Sequence, residues 1–544
     1  MDESEGMAPR LAISLLAFFA LLPASAQAAP ARVTLATSSG KGAVTVRWNV
    51  PVRVVNARQV WFVSRAGRRL HGRELTRGVR RSHAFAVLAR GSLHLRVGRR
   101  AARTRTGHWA RAAVLVVRGR RPPTRRTPVV PPPATPPPAT PTPTRAPTLP
   151  LVTPQSGASF VDSVGVNVHM SYYSTAYDNW QEVRDKLVEL GVHHVRDGAC
   201  VGCTPQRSRL LALASAGIGV DFIMRQPGSP DSAADLVNLL AGPMRPAVDT
   251  IEGPNEYDHS GDPSWAPNLL AYQQQIYSLT RANPALAGVP VVGPSLVSSR
   301  SYTTLGDLDG MLDTGNIHPY AGGGLPAGTL TSNLNLAGVT APGRPVMATE
   351  AGYHDALSAS SGQPPVSEQA AADYIPRLVL DMFRAGVART YLYELVDERA
   401  DPALTNAEYH FGLLRNDFSR KPAFNALRNM LAVVGGDRRG GKRLKPLRMQ
   451  VSAGQRTVRR LVLQKADGSY VVALWRLSSV WDIKRRTLLH VSPRRMTVRL
   501  PGAASVTLAD PVHRAGERRI ALQGRRIHLK LGASPLLLHV IPRG

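Results

Sequence analysis

The chain has 544 residues, 43% of them hydrophobic, and carries 68 Lys and Arg against 37 Asp and Glu, a formal net charge of +31. This length predicts several domains with sizeable cores. After the N-terminus no stretch reaches 18 uncharged apolar residues, which argues against a membrane span in the mature chain.

Residues 1–28 are predicted to be a cleavable export signal. Arg10 supplies positive charge, Leu11–Leu22 is an apolar run with Ser14 as its one polar residue, and small residues allow cleavage after Ala26 or Ala28. The acidic residues before Met7 fit such a signal poorly, so the true start is either Met1 or Met7. We therefore expect a secreted or cell-surface protein.

Residues 31–120 predict a small, basic, antiparallel β domain, because short runs such as Ala43–Trp48 alternate apolar and polar side chains. Residues 121–156 are rich in Pro and Thr and predict a stiff linker. For the basic flanks at residues 31–126 and 437–544, solvated charge on ordinary strands is the favoured interpretation, and a specific anionic partner is the alternative. Among specific partners, an anionic cell-surface polymer is favoured over nucleic acid, because the flanks lack interleaved aromatic residues and zinc-finger spacing.

From Val164 onward, apolar strands that end in polar residues alternate with helical patterns. Their spacing, about 25 to 45 residues, suits strand–helix pairs. Eight such units in residues 157–432 predict an α/β fold, a (β/α)₈ TIM barrel. The predicted strands are Gly165–His169, Val192–Arg196, Gly219–Met224, Val248–Glu252, Val289–Gly293, Gly315–His318, Val346–Glu350 and Thr390–Glu394.

Local signals mark two of the barrel helices. Asp178 is the predicted N-cap of one helix, and Gly191 is its predicted C-terminal stop. Ser367 is predicted to begin another helix that ends at Gly386, and Pro376 inside that helix predicts a kink.

Residues 437–544 return to an alternating pattern and predict a C-terminal β-sandwich beside the barrel. Asp467-Gly468 marks a hairpin within it. The only cysteines, Cys200 and Cys203, are spaced C-x-x-C, and for an exported chain we expect a local disulfide. A zinc site lacks two further ligands nearby, so neither a metal nor a cofactor is expected.

Two glutamates stand where a barrel places its reactive groups, at the carboxyl ends of strands. Glu256 follows the fourth strand in Gly253-Pro254-Asn255-Glu256, and Glu350 ends the seventh. A pair of carboxyl groups is what acid/base cleavage of a glycosidic bond needs. We assign Glu256 as general acid/base and Glu350 as nucleophile, which requires a separation of about 5–5.5 Å.

Other polar and aromatic residues at strand ends predict the substrate-binding surface. Arg196 is expected to keep Glu350 ionised, and Asn255 to bind a sugar 2-hydroxyl. His318 and Tyr320 are expected to orient the nucleophile or contact the sugar. Further candidates for sugar contact or stacking are His169, Tyr172, Trp265 and Tyr393.

Arg196, Asn255-Glu256, His318-Pro319-Tyr320 and Thr349-Glu350 carry a resemblance to a known group. Residues 160–430 resemble the clan A glycoside hydrolases, nearest to families 39 and 5. The resemblance implies a retaining mechanism and a carbohydrate substrate. The eighth strand ends in Tyr391–Leu395 without the tryptophan of many family 5 enzymes, which favours the family 39 group.

Two alternatives stay open. One is a non-catalytic carbohydrate-binding protein on the same barrel. The other is a cell-envelope binding protein whose function lies in the basic N-terminal domain. The sequence does not identify the sugar or the linkage.

Overall fold

The structure of the protein is a computed structural model. It describes residues 149–435, 443–452 and 457–543, together with the backbone of short strands between residues 33 and 117. The predicted signal at residues 1–28 and most of the predicted linker lie outside the described residues. The chain divides into an N-terminal unit and a larger unit that contains residues 145–544.

In the N-terminal unit every described strand pairing is antiparallel. One sheet has four strands and another has three. The described strands are Val33–Thr37, Ala43–Trp48, Val52–Val55, Trp61–Ser64, Val79–His83, Val87–Leu88, Gly91–Arg96, Ala102–Arg105 and Val114–Val117.

The larger unit contains a parallel eight-stranded sheet in the order β5-β4-β3-β2-β1-β8-β7-β6. A parallel bridge between Val292 and Thr314 joins its two edge strands and closes the barrel. The predicted barrel fold is therefore confirmed. The strands are β1 (Val164–Asn167), β2 (His194–Gly198), β3 (Gly219–Ile223), β4 (Val248–Glu252), β5 (Val291–Val292), β6 (Gly315–Ile317), β7 (Val346–Ala351) and β8 (Val387–Leu392).

A helix follows each strand. The helices are α1 (Trp180–Leu190), α2 (Thr204–Ser215), α3 (Ala233–Ala241), α4 (Trp265–Ala282), α5 (Ser299–Leu305), α6 (Leu330–Thr340), α7 (Glu368–Ala385) and α8 (Pro422–Val434). A short helix, Gly157–Asp162, precedes β1.

The predicted helix ends are mostly correct. Ser367 caps α7 by accepting a hydrogen bond from the Ala370 N–H, and α7 continues through Pro376. Gly191 ends α1 with a φ of 81°, in the left-handed region that glycine adopts without strain. The N-cap prediction for Asp178 is wrong, because α1 begins after Asn179 and Asp178 belongs to a preceding 3₁₀ turn, where it pairs with Arg209.

The C-terminal β region consists mainly of two sheets that share one hydrophobic cluster. Gly468, at a φ of 91°, turns the predicted hairpin between Val458–Gln464 and Tyr470–Arg476. The six-stranded sheet is ordered Gln155–Ser156, Val458–Gln464, Tyr470–Arg476, Leu536–Pro542, Ala503–Ala509 and Glu517–Arg519. The three-stranded sheet is ordered Gln450–Val451, Arg494–Arg499 and Arg526–Leu531.

The predicted linker extends too far toward the barrel. Leu151–Val152 pairs with Leu447–Arg448, and Gln155–Ser156 pairs with the six-stranded sheet. Val152 also packs against the C-terminal hydrophobic cluster, which ties this segment to the larger unit.

The C-terminal β region covers the outer face of α7, whose central residues are buried all round. Asp381 of α7 accepts a hydrogen bond from Trp475 Nε1 at 2.9 Å and pairs with Arg459. A small hairpin made of Trp481–Asp482 and Thr487–Leu488 reaches the loop after β7. There Trp481 Nε1 donates to the Pro365 carbonyl at 2.8 Å. The C-terminal region thus supports a loop beside the barrel mouth.

Within the part of the chain that the structure describes, no helix has both the length and the apolar character needed to cross a bilayer.

Candidate active site

The carboxyl ends of the eight strands meet at one rim of the barrel, since all neighbouring strands run parallel. The rim brings together six residues that the sequence predicts to act together. These are Arg196, Asn255, Glu256, His318, Tyr320 and Glu350, and each has a side chain in hydrogen-bond contact with another member of the group.

Arg196 is the centre of this cluster. Its guanidinium is 2% exposed and donates to both oxygens of Glu252, at 2.6 and 2.9 Å. Nη1 donates to Glu350 Oε1 at 2.7 Å and Nη2 to Asn255 Oδ1 at 2.7 Å. Nη1 also donates to Asn167 at 3.0 Å. Arg196 therefore holds the ends of β1, β2, β4 and β7 in one arrangement.

Glu350 is held in its charged form. Burial alone would raise the pKa of this carboxyl, but the charges of His318 and Arg196 outweigh burial and lower the pKa. Tyr320 donates its hydroxyl to Glu350 Oε2 at 2.7 Å. Burial and the neighbouring Glu350 charge raise the pKa of Tyr320 well above its usual range, so the hydroxyl keeps its proton. Glu350 is therefore an ionised, positioned carboxylate.

Glu256 adopts an unusual backbone conformation. Its φ is 47° and its ψ is 36°, the left-handed region that a side chain with a Cβ adopts at a cost of about 1–2 kcal/mol. The Ser295 hydroxyl accepts a hydrogen bond from the Glu256 N–H at 3.0 Å and helps to hold this turn. Such strain at a rim residue is typical of a functional position. It turns the Glu256 side chain toward His318.

The two catalytic candidates are close to each other. One carboxylate oxygen of Glu256 and one of Glu350 lie within 4.8 Å of each other and of a ring nitrogen of His318. His318 Nδ1 is 2.7 Å from Glu256 Oε1 and 3.6 Å from Glu350 Oε2. Burial would lower the pKa of His318, but the charges of Glu350 and Glu256 outweigh burial and raise it. His318 therefore lies between two acids whose charges favour its protonated form.

A second layer of polar residues supports this arrangement. The Thr349 hydroxyl lies 3.0 Å from His318 Nε2, 2.8 Å from Asn316 Oδ1 and 3.1 Å from Glu252 Oε1. Asn316 Nδ2 donates to Glu252 Oε1 at 2.9 Å. These buried contacts fix the ring of His318 and the position of the Arg196–Glu252 pair.

Sequence reasoning did not assign a role to Glu252 or to Asp221. Glu252 lies inside the barrel and forms the two-point contact with Arg196, and Asp221 is the register partner of Arg196 on β3. Burial and the adjacent Glu252 charge keep the pKa of Asp221 well above its usual range, so Asp221 is neutral. One signal was present in the sequence: an acid on a buried barrel strand needs an internal cation, and Arg196 is the cation at the same level.

Three of the predicted ring side chains, His169, Tyr172 and Tyr393, form one group at the rim. His169 stacks on Tyr172 with ring centroids 4.4 Å apart, and Tyr393 meets His169 edge-on at 5.6 Å. Burial lowers the pKa of His169 to about 4, although the charge of Glu350 opposes the shift, so the ring is neutral near pH 7. His169 Nε2 is 3.3 Å from Glu394 Oε2. This group presents flat rings and a neutral imidazole to the cleft.

Three acids on the segment after β8 were not assigned from sequence. Burial, with the charge of Glu398 added, raises the pKa of Glu394 well above its usual range. Burial raises the pKa of Glu398 to about 7. Burial and the charges of Glu350, Glu398 and Glu256 raise the pKa of Glu408 to about 7 as well. Glu408 therefore changes charge near neutral pH while facing both catalytic candidates.

The remaining predicted residues lie elsewhere. Trp265 begins α4 and packs against a cluster that contains Tyr257 and Leu269, which is a packing role, and its stacking role stays a prediction. Cys200 and Cys203 form a disulfide after β2, with Cα atoms 5.4 Å apart. The disulfide closes the turn that leads into α2.

Some of these residues have the spacing of a cation site. Among the described residues, three groups bring potential ligand atoms within 4.8 Å of one another: Glu256, His318 and Glu350; His169, Glu394 and Glu398; and Asp355, Asp397 and His410. In the first group Arg196 and His318 already balance the carboxylates. In the third group Lys421 balances the carboxylates, because its Nζ lies 2.7 Å from Asp355 and 2.8 Å from Asp397.

No protein-family model matches the chain, and no curated protein sequence matches it. Similar solved structures include a GH39 enzyme from Xanthomonas axonopodis pv. citri, with a TM-score of 0.46, 14% identity and coverage of 72% of this chain and 96% of that chain. A β-xylosidase from Caulobacter crescentus has a TM-score of 0.46 and 15% identity, with coverage of 72% of this chain and 98% of that chain. A family 51 α-L-arabinofuranosidase from Bifidobacterium longum has a TM-score of 0.48 and 11% identity, with coverage of 72% of this chain and 97% of that chain. Identities of this size carry neither an activity nor a substrate from one chain to another.

Proposed function

We propose that this protein is a retaining glycoside hydrolase that acts on a polysaccharide or glycoside. The observation that carries the proposal is that one carboxylate oxygen of Glu256 lies within 4.8 Å of one carboxylate oxygen of Glu350 at the barrel rim. Retaining enzymes hold their two carboxyl groups about 5–5.5 Å apart, whereas inverting enzymes need about 6.5–9.5 Å to admit a water molecule. The spacing in this chain favours retention.

In the first step Glu350 attacks the anomeric carbon. The bond from that carbon to the glycosidic oxygen breaks, and Glu256 transfers its proton to the departing oxygen. The product is an ester between the sugar and Glu350. Arg196 donates to one oxygen of Glu350 and Tyr320 to the other, so the two donors orient the carboxylate for this attack.

In the second step Glu256 removes a proton from water, and the resulting hydroxide attacks the anomeric carbon and releases Glu350. Two inversions restore the original configuration. Asn255 uses its Oδ1 to accept from Arg196 and from Ser295, so its amide nitrogen is the end that is directed to a sugar hydroxyl. The ring group of His169, Tyr172 and Tyr393 supplies apolar faces on which a sugar ring stacks.

We also propose that the enzyme is exported. The proposal rests on the signal predicted at residues 1–28 and on the Cys200–Cys203 disulfide, which persists in an oxidising compartment. Its substrate is then an extracellular or cell-surface carbohydrate.

The stereochemistry of the first product tests the proposed mechanism. The full chain is screened against a panel of aryl β- and α-glycosides, and the anomeric proton of the released sugar is followed by NMR from the first minutes of the reaction. We expect the anomer of the substrate to appear first and to mutarotate afterwards. An opposite first anomer contradicts retention, and glycan binding without turnover of any substrate supports the non-catalytic alternative.

Glu408→Gln is expected to change the pH dependence of this activity. In the wild type Glu408 gains a negative charge as the pH rises through about 7, and that charge opposes the loss of the proton that the general acid donates. Glutamine removes the charge, so the alkaline limb of the kcat/KM profile moves to lower pH. The measurement is kcat/KM from about pH 4 to pH 9. Glu182→Gln, at a half-buried carboxylate of α1 that pairs with Lys186, is the control. Identical profiles for all three proteins would exclude this role for Glu408.

A further inference from the structure

The outer face of the three-stranded sheet in the C-terminal β region is strongly cationic. On its two long strands, Arg494–Arg499 and Arg526–Leu531, alternate side chains such as Met496, Val498 and Ile527 are buried in the shared hydrophobic cluster. The intervening side chains therefore point to solvent. We call this surface the basic face, and its residues are Arg495, Thr497, Arg499, Arg526, His528 and Lys530.

The register of the two strands places like charges opposite each other. Arg495 is directly opposite Lys530, and Arg499 is directly opposite Arg526. Side chains in such positions have Cβ atoms about 4.5–5.5 Å apart, and like charges there are destabilising. The sheet thus holds two cation pairs against their mutual repulsion.

None of these four cations forms an ion pair with any residue that the structure describes. The ion pairs of the C-terminal β region lie elsewhere, at Arg459, Arg485, His513 and His539. Thr497 and His528, between the two cation pairs, contact each other at 3.2 Å and add no acid. An external anion is therefore the natural partner of this surface.

We propose that the basic face binds a linear anionic polysaccharide. The two cation pairs are separated along the strands by four residues, about 13 Å at 3.3–3.4 Å per residue. This spacing suits repeated charges on one extended chain. Arginine forks match carboxylates with two hydrogen bonds, and the hydroxyl of Thr497 and the ring of His528 offer partners for sugar hydroxyls.

Other polyanions fit the basic face less well. It has no Phe, Tyr or Trp on which nucleic-acid bases would stack. It also has no exposed apolar side chain that would enter a bilayer beside anionic headgroups. The proposal does not depend on catalysis, because the basic face belongs to the C-terminal sheets and not to the barrel rim.

The test compares two full-length variants with the same net charge. In the face variant Arg495, Arg499, Arg526 and Lys530 are replaced by glutamine. In the off-face variant four exposed cations of the same region, Lys484, Arg514, Arg518 and Arg519, are replaced by glutamine. Retention on immobilised polygalacturonate is measured along a salt gradient, and the same proteins are titrated with duplex DNA and with phosphatidylglycerol vesicles.

We expect the face variant to bind polygalacturonate about tenfold more weakly or worse, and to elute at lower salt, while the off-face variant stays close to the wild type. Equal losses in the two variants overturn the proposal, because net charge alone would then explain binding. A larger difference on DNA or on vesicles than on polygalacturonate shows that the partner is of another class. Unchanged turnover of small aryl glycosides by both variants keeps this result separate from the proposed function.

Discussion

Replacing Glu350 by alanine is expected to lower kcat on an activated aryl glycoside by about 10⁴-fold or more. The reason is that the group that forms the bond to the anomeric carbon is then missing. Arg196 keeps its two-point contact with Glu252 in this variant, so the rim is expected to stay folded. The measurement is steady-state kinetics of purified protein whose circular dichroism matches the wild type.

Added azide is expected to restore part of the activity of Glu350→Ala. The small anion occupies the space of the lost carboxylate and attacks the anomeric carbon in its place, which yields a glycosyl azide of inverted configuration. Glu182→Ala, which removes a half-buried carboxylate that pairs with Lys186 on α1, is the matched control and should keep the wild-type rate. A wild-type rate in Glu350→Ala would show that Glu350 is not the nucleophile.

Arg196→Met is expected to destabilise the barrel unit by about 3–5 kcal/mol and to remove activity. The substitution leaves Glu252 buried without its two-point cation and Glu350 with His318 alone, which is the costly way to break a buried ion pair. The free energy of unfolding is measured by chemical denaturation, with circular dichroism as the signal. Arg300→Met, at an exposed position of α5, is the control and should unfold like the wild type.

The destabilisation caused by Arg196→Met should be smaller at acid pH than at neutral pH. In the wild type the lowered pKa of Glu350 means that its contribution to stability is present above the pKa of the unfolded chain and is lost as the pH falls. Without Arg196, one of the two charges that lower this pKa is missing while His318 remains, so the pKa of Glu350 is less depressed and the variant loses less stability as the pH falls. The gap between wild type and variant is therefore expected to narrow below about pH 4.5, the usual pKa of a glutamate, compared with pH 7.

A double variant separates charge from packing. Arg196→Met with Glu252→Gln removes the cation together with one of its anions, and we expect it to recover part of the lost stability. A double variant as unstable as Arg196→Met at both pH values would mean that the loss comes from side-chain packing and not from the uncompensated charge.

The barrel was predictable from sequence because its signals are local. Buried parallel strands appear as short apolar runs, and each is followed by a segment with helical period. Ser367 and Gly191 mark helix ends through contacts made within one turn, so these two predictions are correct. The N-cap prediction for Asp178 is wrong by one residue: Asn179 occupies the cap position, and Asp178 instead pairs with Arg209 of α2, a contact that the local sequence does not contain.

The candidate catalytic pair was predictable for a related reason. Parallel strands place all their carboxyl ends at one rim, so acids at the ends of β4 and β7 must lie near each other. Their separation was not predictable, because it depends on the left-handed conformation of Glu256 and on the Ser295 hydroxyl that supports it. The roles of Glu408 and Glu394 were also hidden, since their burial arises from the way the segment after β8 folds across the rim.

By itself the sequence determined the order of strands and helices, the position of two acids at strand ends and the basic character of both flanks. Only the tertiary structure decided which cation serves which acid, which carboxyls keep a proton near neutral pH and which arginines face one another across the C-terminal sheet. The physical reason is the distance along the chain between the groups that decide each property. Secondary structure follows from neighbours in the chain, whereas charge state and pairing depend on burial and on groups brought from tens to hundreds of residues away.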